Sequence, residues 1–292
     1  MRAKPHKGFH SLCFMDTKVL LELIRPINDV MSAFAVLISG VISAGWHMPL
    51  LSVAAASVGT FFASAGGMVI NDYFDVDIDL VNRPHRPIPR GQITRRGALY
   101  FSIFLFGGAF ACVLFTNMWC IIVGVPAVFL IILYSWKLKR TLFIGNIVVA
   151  FLSALALLYG GIATGSTQLV SILALIAFFA SVSRELAKDI EDVEGDRIGG
   201  SKSMPVTLGV EVTAQIAGLF LVFAIASSFL PYVYGIFDKW YVAMVVPVNV
   251  VMSYLAVQML LKKVDRIAVW QKTLKAGMYV TLGIFLVSRL IS

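Results

Sequence analysis

The stretch that decides the fold is residues 30–71, which read VMSAFAVLISGVISAGWHMPLLSVAAASVGTFFASAGGMVIN. It contains no Asp, Glu, Lys or Arg. A single membrane-spanning helix needs about 20 apolar residues, so this stretch is twice the necessary length. A turn signal, GWHMP at residues 45–49, lies in its middle. The stretch therefore predicts two spanning helices folded back on each other as a hairpin.

Further charge-free stretches follow along the chain, at residues 97–136, 141–183, 212–237, 240–261 and 276–288. The first two are again long enough for hairpins, with turns predicted at Thr116-Asn117 and from Gly160-Gly161 through residues 165–167. The others are single spans, and the last reaches the necessary length only if Lys275 and Arg289 extend toward the membrane surfaces. The sequence thus predicts an all-α polytopic membrane protein, a bundle of nine transmembrane helices.

The composition agrees with a membrane protein. The 292 residues have a mean hydropathy of +0.87, with 59% hydrophobic and 14% charged residues. Three cysteines without a C-x-x-C spacing exclude a disulfide framework and a cysteine-built zinc site. We expect residues 1–20 to be a cytoplasmic extension, poorly ordered over residues 1–14, and residues 21–292 to be the transmembrane domain. Met1 and Met15 are both candidate start sites, and no signal peptide is evident.

The net charge of +8 is explained by topology. If the N-terminus is cytoplasmic, every Lys and Arg except Lys239 and Arg289 lies in a cytoplasmic segment, as the positive-inside rule requires. Nucleic acid is therefore not an expected partner. The pattern predicts a multi-pass protein of the cell membrane with its N-terminus in the cytoplasm and its C-terminus outside.

Two acidic runs follow the second and the sixth predicted helix, so both lie on the cytoplasmic side. Each run carries polar groups at helical spacing, which places them on one helix face: Asn71, Asp75 and Asp79 in the first run, and Asp189, Asp192 and Asp196 in the second. Asp72 belongs to the first run and is a further candidate metal ligand. Either run alone could be a solvated loop. Two facing rows of carboxylates repel each other unless cations lie between them, and hard oxygen ligands without His or Cys suit Mg²⁺. The sequence therefore predicts a magnesium site.

Cations with suitable reach accompany both runs. Arg83, Arg86 and Arg90 lie in a proline-stiffened loop, Lys137 and its basic neighbours follow the fourth helix, and Lys188 precedes Asp189. Some of them serve as positive-inside anchors. Together with the acidic rows and the apolar bundle, they indicate a substrate with a phosphate or diphosphate head and a long hydrocarbon tail.

Three segments resemble a known family. Residues 71–79 (NDYFDVDID) and 189–196 (DIEDVEGD) resemble the two acidic signatures of the UbiA superfamily of intramembrane prenyltransferases, and residues 134–140 (YSWKLKR) resemble its Tyr/Lys segment. The resemblance extends from about residue 21 to the C-terminus. Residues 83–91 (RPHRPIPRG) and 184–192 (RELAKDIED) are most similar to the archaeal branch that forms digeranylgeranylglyceryl phosphate. Glu185 stands where quinone-forming members often have Tyr.

The resemblance implies an Mg²⁺-dependent transfer of a geranylgeranyl group from its diphosphate to the hydroxyl of geranylgeranylglyceryl phosphate. Asp75, Asp192, Lys137 and Tyr134 are the catalytic candidates. Lys137 and Lys188 are candidates for the diphosphate, and Arg83, Arg86 and Arg90 for either anion. The expected partners are a prenyl diphosphate, a lipid-phosphate acceptor and membrane lipids. Two alternatives stay open, which are prenylation of an aromatic acceptor and, from another class of protein, a transporter.

Overall fold

Helices make up nearly all of the described chain, residues 16–291 of the computed structural model, and no strand occurs in that range. In chain order they are α1 (Thr17–Ile24), α2 (Pro26–Ala44), α3 (Leu50–Phe74), α4 (Val76–Asn82), α5 (Arg95–Val113), α6 (Met118–Trp136), α7 (Ile144–Thr164), α8 (Gln168–Glu191), α9 (Val193–Ile198), α10 (Met204–Leu208), α11 (Val210–Ser227), α12 (Leu230–Val233), α13 (Lys239–Leu260) and α14 (Ile267–Ile291).

Nine segments of the described chain are long and apolar enough to cross a membrane. They are α2, α3, α5, α6, α7, α8, α11 continued into α12, α13 and α14. The predicted nine-helix, all-α membrane architecture is confirmed. The last span, Ile267–Ile291, includes both Lys275 and Arg289, as the prediction from its short charge-free stretch requires.

The extramembrane segments are short. The predicted boundary at residue 20 lies inside α1, whose Val19, Leu23 and Ile24 are buried against the bundle. The expectation of disorder over residues 1–14 and the question of Met15 as a start both lie outside the described residues.

Two of the three hairpin turns lie where the sequence predicts them. The α2–α3 turn occupies the GWHMP segment, and α6 begins directly after Asn117. The Asn117 side chain accepts a hydrogen bond from Cys120 N at 3.0 Å and donates one to Ile162 O at 2.6 Å. It thus caps α6 and holds this turn against α7.

The third turn occupies only the second part of the predicted segment, residues 165–167. Gly160 and Gly161 lie inside α7, which ends at Thr164, and Gly165 caps the helix with φ +80°. The reason is a close helix contact. A Cβ at Gly160 would overlap Ser39 Oγ and Val36 O on α2. Glycine here lets the backbones of α2 and α7 approach each other, as small residues commonly do between membrane helices.

The outer surface of the bundle is strongly apolar. Large side chains such as Phe104, Trp119 and Val250 are more than 60% exposed. On a soluble protein such a surface would be a liability, whereas here it faces the lipid. The chain is therefore a multi-pass membrane protein, and its polar groups are concentrated elsewhere.

Candidate active site

A cavity of about 970 Å³ opens into the bundle, and many charged side chains line it. Its apolar walls come from helices throughout the bundle, including α2, α3, α6, α7, α8, α13 and α14. Both acidic rows reach it: the lining contains Asn71, Asp75, Asp79, Asp189, Asp192 and Asp196. The two rows therefore share one cavity at one end of the bundle, which is the arrangement that the spacing predicts.

Each acidic row continues a membrane helix into a short second helix. Asp75 joins α3 to α4, and its N–H still bonds to Asn71 O at 3.0 Å. Asp192 joins α8 to α9, and its N–H bonds to Lys188 O at 2.9 Å. The helical hydrogen-bond pattern thus passes through both joints, so the acidic side chains keep the common face that their spacing predicts.

The first row is buried and already paired with protein cations. Asp75 forms an ion pair with Lys139, and Asn71 Nδ2 donates to Asp75 Oδ2 at 3.1 Å. Asp79 accepts from Arg86 Nη1 at 2.5 Å. Because both carboxylates are about 5% exposed, each needs such a partner to remain charged.

The second row is more open. Asp189 accepts a hydrogen bond from Asn146 Nδ2 at 2.7 Å, and Asp192 lies 3.5 Å from Arg83 Nη2. Asp196 has no ion pair within the described chain. Burial raises the pKa of Asp196. The second row thus has fewer ion pairs with protein cations than the first.

The donor set fits a divalent cation that also binds substrate oxygens. Among the described residues, no three Asp, Glu, His or Cys side chains lie close enough together to hold a metal ion by themselves. The buried Asp75 Oδ1 faces no hydrogen-bond donor, although its partner oxygen is paired. Carboxylate and amide oxygens on two facing walls suit Mg²⁺, which usually binds through one or two carboxylates and a substrate's phosphates.

Asp72 is placed differently from its neighbours. It does not line the cavity, and its carboxylate accepts from Arg25 Nη2 at 2.6 Å and from Arg86 Nη1 at 3.0 Å. Its side chain is only 4% exposed. Asp72 follows Asn71 by one residue, which turns its side chain by about 100° from that of Asn71 and lets it reach Arg25 and Arg86. The structure therefore places Asp72 in a buried ion-pair cluster and not on the cavity wall.

The basic segment after α6 contributes Lys139 and not Lys137. Lys137 is exposed and is absent from the cavity lining, whereas Lys139 lines it. A 3₁₀ turn over Leu138–Arg140 is the reason that Lys139 and not Lys137 reaches the cavity, because it changes the direction of successive side chains just past the helix end. Burial lowers the pKa of Lys139, and Asp75 partly offsets that effect.

The three arginines of the proline-rich loop do not all face the cavity. Arg83 and Arg86 line the cavity, as predicted for phosphate-binding groups. Arg90 does not line it and instead pairs with Glu22 of α1 at 2.6 Å, where both side chains are substantially exposed. Arg90 thus ties the loop to the first helix.

The remaining predicted groups, Tyr134 and Lys188, both line the cavity. Lys188 lies 3.4 Å from Glu185, which is buried and also accepts from Arg184 at 2.6 Å. Sequence reasoning did not assign Arg25, Asn146, Arg184 or Lys275 to the site, although all but Asn146 line the cavity and Asn146 bonds to Asp189. Polar residues in otherwise apolar helices were the available signal for Asn146 and Lys275.

Comparison with known proteins agrees with this geometry. The sequence model of the UbiA prenyltransferase family matches residues 32–277. The chain belongs to the UbiA prenyltransferase family. It is accordingly an enzyme, a membrane prenyltransferase of lipid biosynthesis, and the resemblance noted in its acidic motifs is confirmed.

Relatives within the UbiA family carry one recurring description. The chain is 38% identical over 279 residues to a digeranylgeranylglyceryl phosphate synthase of Thermococcus kodakarensis, covering 95% of this chain and all of that one. It is 36% identical over 263 residues to the protein of the same description from Methanothermobacter thermautotrophicus, covering 89% and 92% of the two chains.

Solved UbiA-family structures share the fold. One, from a study of digeranylgeranylglyceryl phosphate synthase in membranes, has a TM-score of 0.80 at 32% identity and covers 94% of this chain and 99% of that one. A UbiA homologue from Archaeoglobus fulgidus bound to GPP and Mg²⁺ has a TM-score of 0.70 at 17% identity, covering 91% and 99%.

Proposed function

We propose that this chain transfers a geranylgeranyl group from geranylgeranyl diphosphate to the free hydroxyl of geranylgeranylglyceryl phosphate, forming the second ether bond of an archaeal membrane lipid. The observation that supports this proposal most directly is that two acidic rows and several cations line one apolar cavity. A diphosphate head matches the charged groups of this cavity, and a long isoprenoid tail matches its apolar walls. The names of the relatives, at 34–39% identity, support the lipid acceptor.

Magnesium has a place in this proposal on the two facing rows. Asn71, Asp75 and Asp79 would hold it from one wall, and Asp189, Asp192 and Asp196 from the other. Its positive charge, when bound, stabilises the negative charge that develops on the departing diphosphate. The Archaeoglobus homologue was solved with GPP and Mg²⁺, which supports the same assignment here.

The chain's own cations complete the diphosphate site. Lys139 lies beside Asp75, and Lys188 lies on the opposite helix beside Asp189. Both reach the cavity, so each can donate to diphosphate oxygens and hold the head between the two rows. In this assignment Lys139 replaces Lys137, which faces outward.

The reaction exchanges one carbon–oxygen bond for another. The bond between C1 of the isoprenoid and the diphosphate breaks, its electron pair leaves with the diphosphate, and positive charge develops at C1. The acceptor hydroxyl oxygen attacks C1, forms the ether and loses its proton. The apolar walls keep water away from C1, and Tyr134 on the cavity wall shields the developing charge.

The topology follows from the charges. We place the cavity mouth at the cytoplasmic surface, with the N-terminus inside and the C-terminus outside, because basic residues concentrate at that end. A reporter active only outside the cell, fused after residue 292, should be active. An inactive C-terminal fusion together with an active N-terminal one would reverse this orientation.

The test of function offers a choice of acceptors. Purified protein in detergent with Mg²⁺ receives radiolabelled geranylgeranyl diphosphate and either geranylgeranylglyceryl phosphate or a hydroxybenzoate. The proposal predicts that label enters the two-chain ether lipid and not the aromatic acid. Labelled hydroxybenzoate would assign the chain to aromatic prenylation. Absence of transfer to both acceptors would contradict the proposal.

A further inference from the structure

Lys275 is a cation set into an apolar membrane helix. It lies roughly two turns past the first residue of α14, where it lines the cavity. Its Nζ donates to Asn28 Oδ1 on α2 at 3.0 Å and lies 5.7 Å from the centre of the Tyr279 ring. These neighbours orient the ammonium group but do not neutralise it.

Lys275 differs from the other cations of the cavity. Arg25, Arg83, Arg86, Lys139, Arg184 and Lys188 also line it, and each has a carboxylate within the 4.0 Å that defines an ion pair. Within residues 16–291, Lys275 has no such partner. Charged groups placed in membrane helices are expensive and usually mark a ligand pathway. An anionic group on a ligand would complete the surroundings of Lys275.

The diphosphate already has its own partners, because two acidic rows with Lys139 and Lys188 surround its proposed place. The acceptor brings a second anion, its phosphate monoester, and a second isoprenoid chain. Lys275 lies at one end of a part of the cavity wall that suits a phosphate joined to an apolar chain. Beyond it, Met278 and Leu282 on α14 and Ala35 on α2 line the same cavity with apolar groups. A charged head beside an apolar stripe matches the acceptor.

We propose that Lys275, oriented by Asn28, binds the phosphate of the acceptor lipid and makes the enzyme select a phosphorylated acceptor over a neutral one. This inference rests on the proposed function. The sequence left open whether the loop arginines bind the diphosphate or the acceptor phosphate. The inference places the acceptor phosphate on the α2–α14 side of the cavity.

The test compares two acceptors that differ only in the phosphate, geranylgeranylglyceryl phosphate and geranylgeranylglycerol. We expect Lys275→Gln to lower kcat/KM for the phosphorylated acceptor about 10- to 100-fold, the usual effect of a lost charged hydrogen bond. Most of the change should be in the KM for that acceptor. The kcat/KM for geranylgeranylglycerol, which has no phosphate, should fall much less than that for the phosphorylated acceptor. An unfolding midpoint in detergent close to that of the wild type should show that the variant is folded.

Lys272 provides a matched control. It is a lysine on the same helix, exposed and outside the cavity. Lys272→Gln should therefore leave kcat/KM for both acceptors unchanged. Lys275→Arg should restore most of the selectivity, and Asn28→Ala should weaken it less than Lys275→Gln does. An unchanged acceptor KM in Lys275→Gln, or an equal loss with both acceptors, would overturn the inference. Failure of the wild type to use either glycerol acceptor would instead overturn the proposed function.

Discussion

Asp75 and Asp192 hold the same position in two different helical segments. Each is the single residue that joins a membrane helix to a short helix, with φ −94° and ψ 2° at Asp75 and φ −90° and ψ 3° at Asp192. Their surroundings differ, because Asp75 is buried beside Lys139, whereas the Asp192 side chain is 43% exposed and pairs at 3.5 Å with Arg83. The two walls of the cavity are alike in backbone and unlike in charge compensation.

The first prediction concerns the finding that Lys139, and not the predicted Lys137, lines the cavity. Lys139→Gln should lower kcat/KM about 10- to 100-fold, because the variant loses a charged contact to the diphosphate. Lys137→Gln should change it by no more than about twofold, as is usual for an exposed residue. Steady-state kinetics with both substrates measures this difference. A larger loss in the Lys137 variant would restore the original assignment from the sequence.

The placement of Asp72 leads to a prediction about stability. Asp72→Asn should destabilise the protein by about 3 kcal/mol, the typical effect of removing one partner from a buried ion pair. Thermal unfolding in detergent measures it, with the exposed Asp77→Asn as a control that should stay near wild type. The Mg²⁺ concentration for half-maximal activity of the folded fraction should not change. An increased Mg²⁺ requirement would return Asp72 to the metal ligands.

The contact between α2 and α7 leads to a third prediction. Gly160→Ala should destabilise the protein by about 1–3 kcal/mol, because an added methyl group overpacks the contact with Ser39. The matched control is Gly107→Ala on α5, where a Cβ would meet no atom within 4 Å. That variant should be as stable as wild type or slightly more so, since Ala is the better helix former. Equal unfolding midpoints for the two variants would contradict the contact.

The fold was predictable because its main constraint is simple. A charge-free stretch twice the length of a membrane helix must turn back, and GWHMP at residues 45–49 supplies the turn. The failure at Gly160 has an equally physical cause. Glycine permits both a turn and a close helix contact, and only the position of α2 decides between them.

The candidate site was partly predictable for a similar reason. Helical spacing places Asp75 and Asp79 on one face before any coordinates are known. The direction of a side chain beyond a helix end depends on the local turn, which is why Lys137 and Lys139 could not be distinguished. The pairing of Asp72 with Arg25 depends on contacts far apart in the sequence, and periodicity does not report such contacts.

The central claim is that the two acidic rows together hold Mg²⁺ against a prenyl diphosphate, and equilibrium binding tests it most directly. Isothermal titration of geranylgeranyl diphosphate into the protein in detergent, at several Mg²⁺ concentrations, compares wild type with Asp75→Asn, Asp192→Asn and the control Asp77→Asn. We predict that Mg²⁺ strengthens binding in wild type and in the control, and that either site variant loses about 10- to 100-fold of that affinity. Wild-type affinity with an unchanged Mg²⁺ dependence in either site variant would contradict the claim.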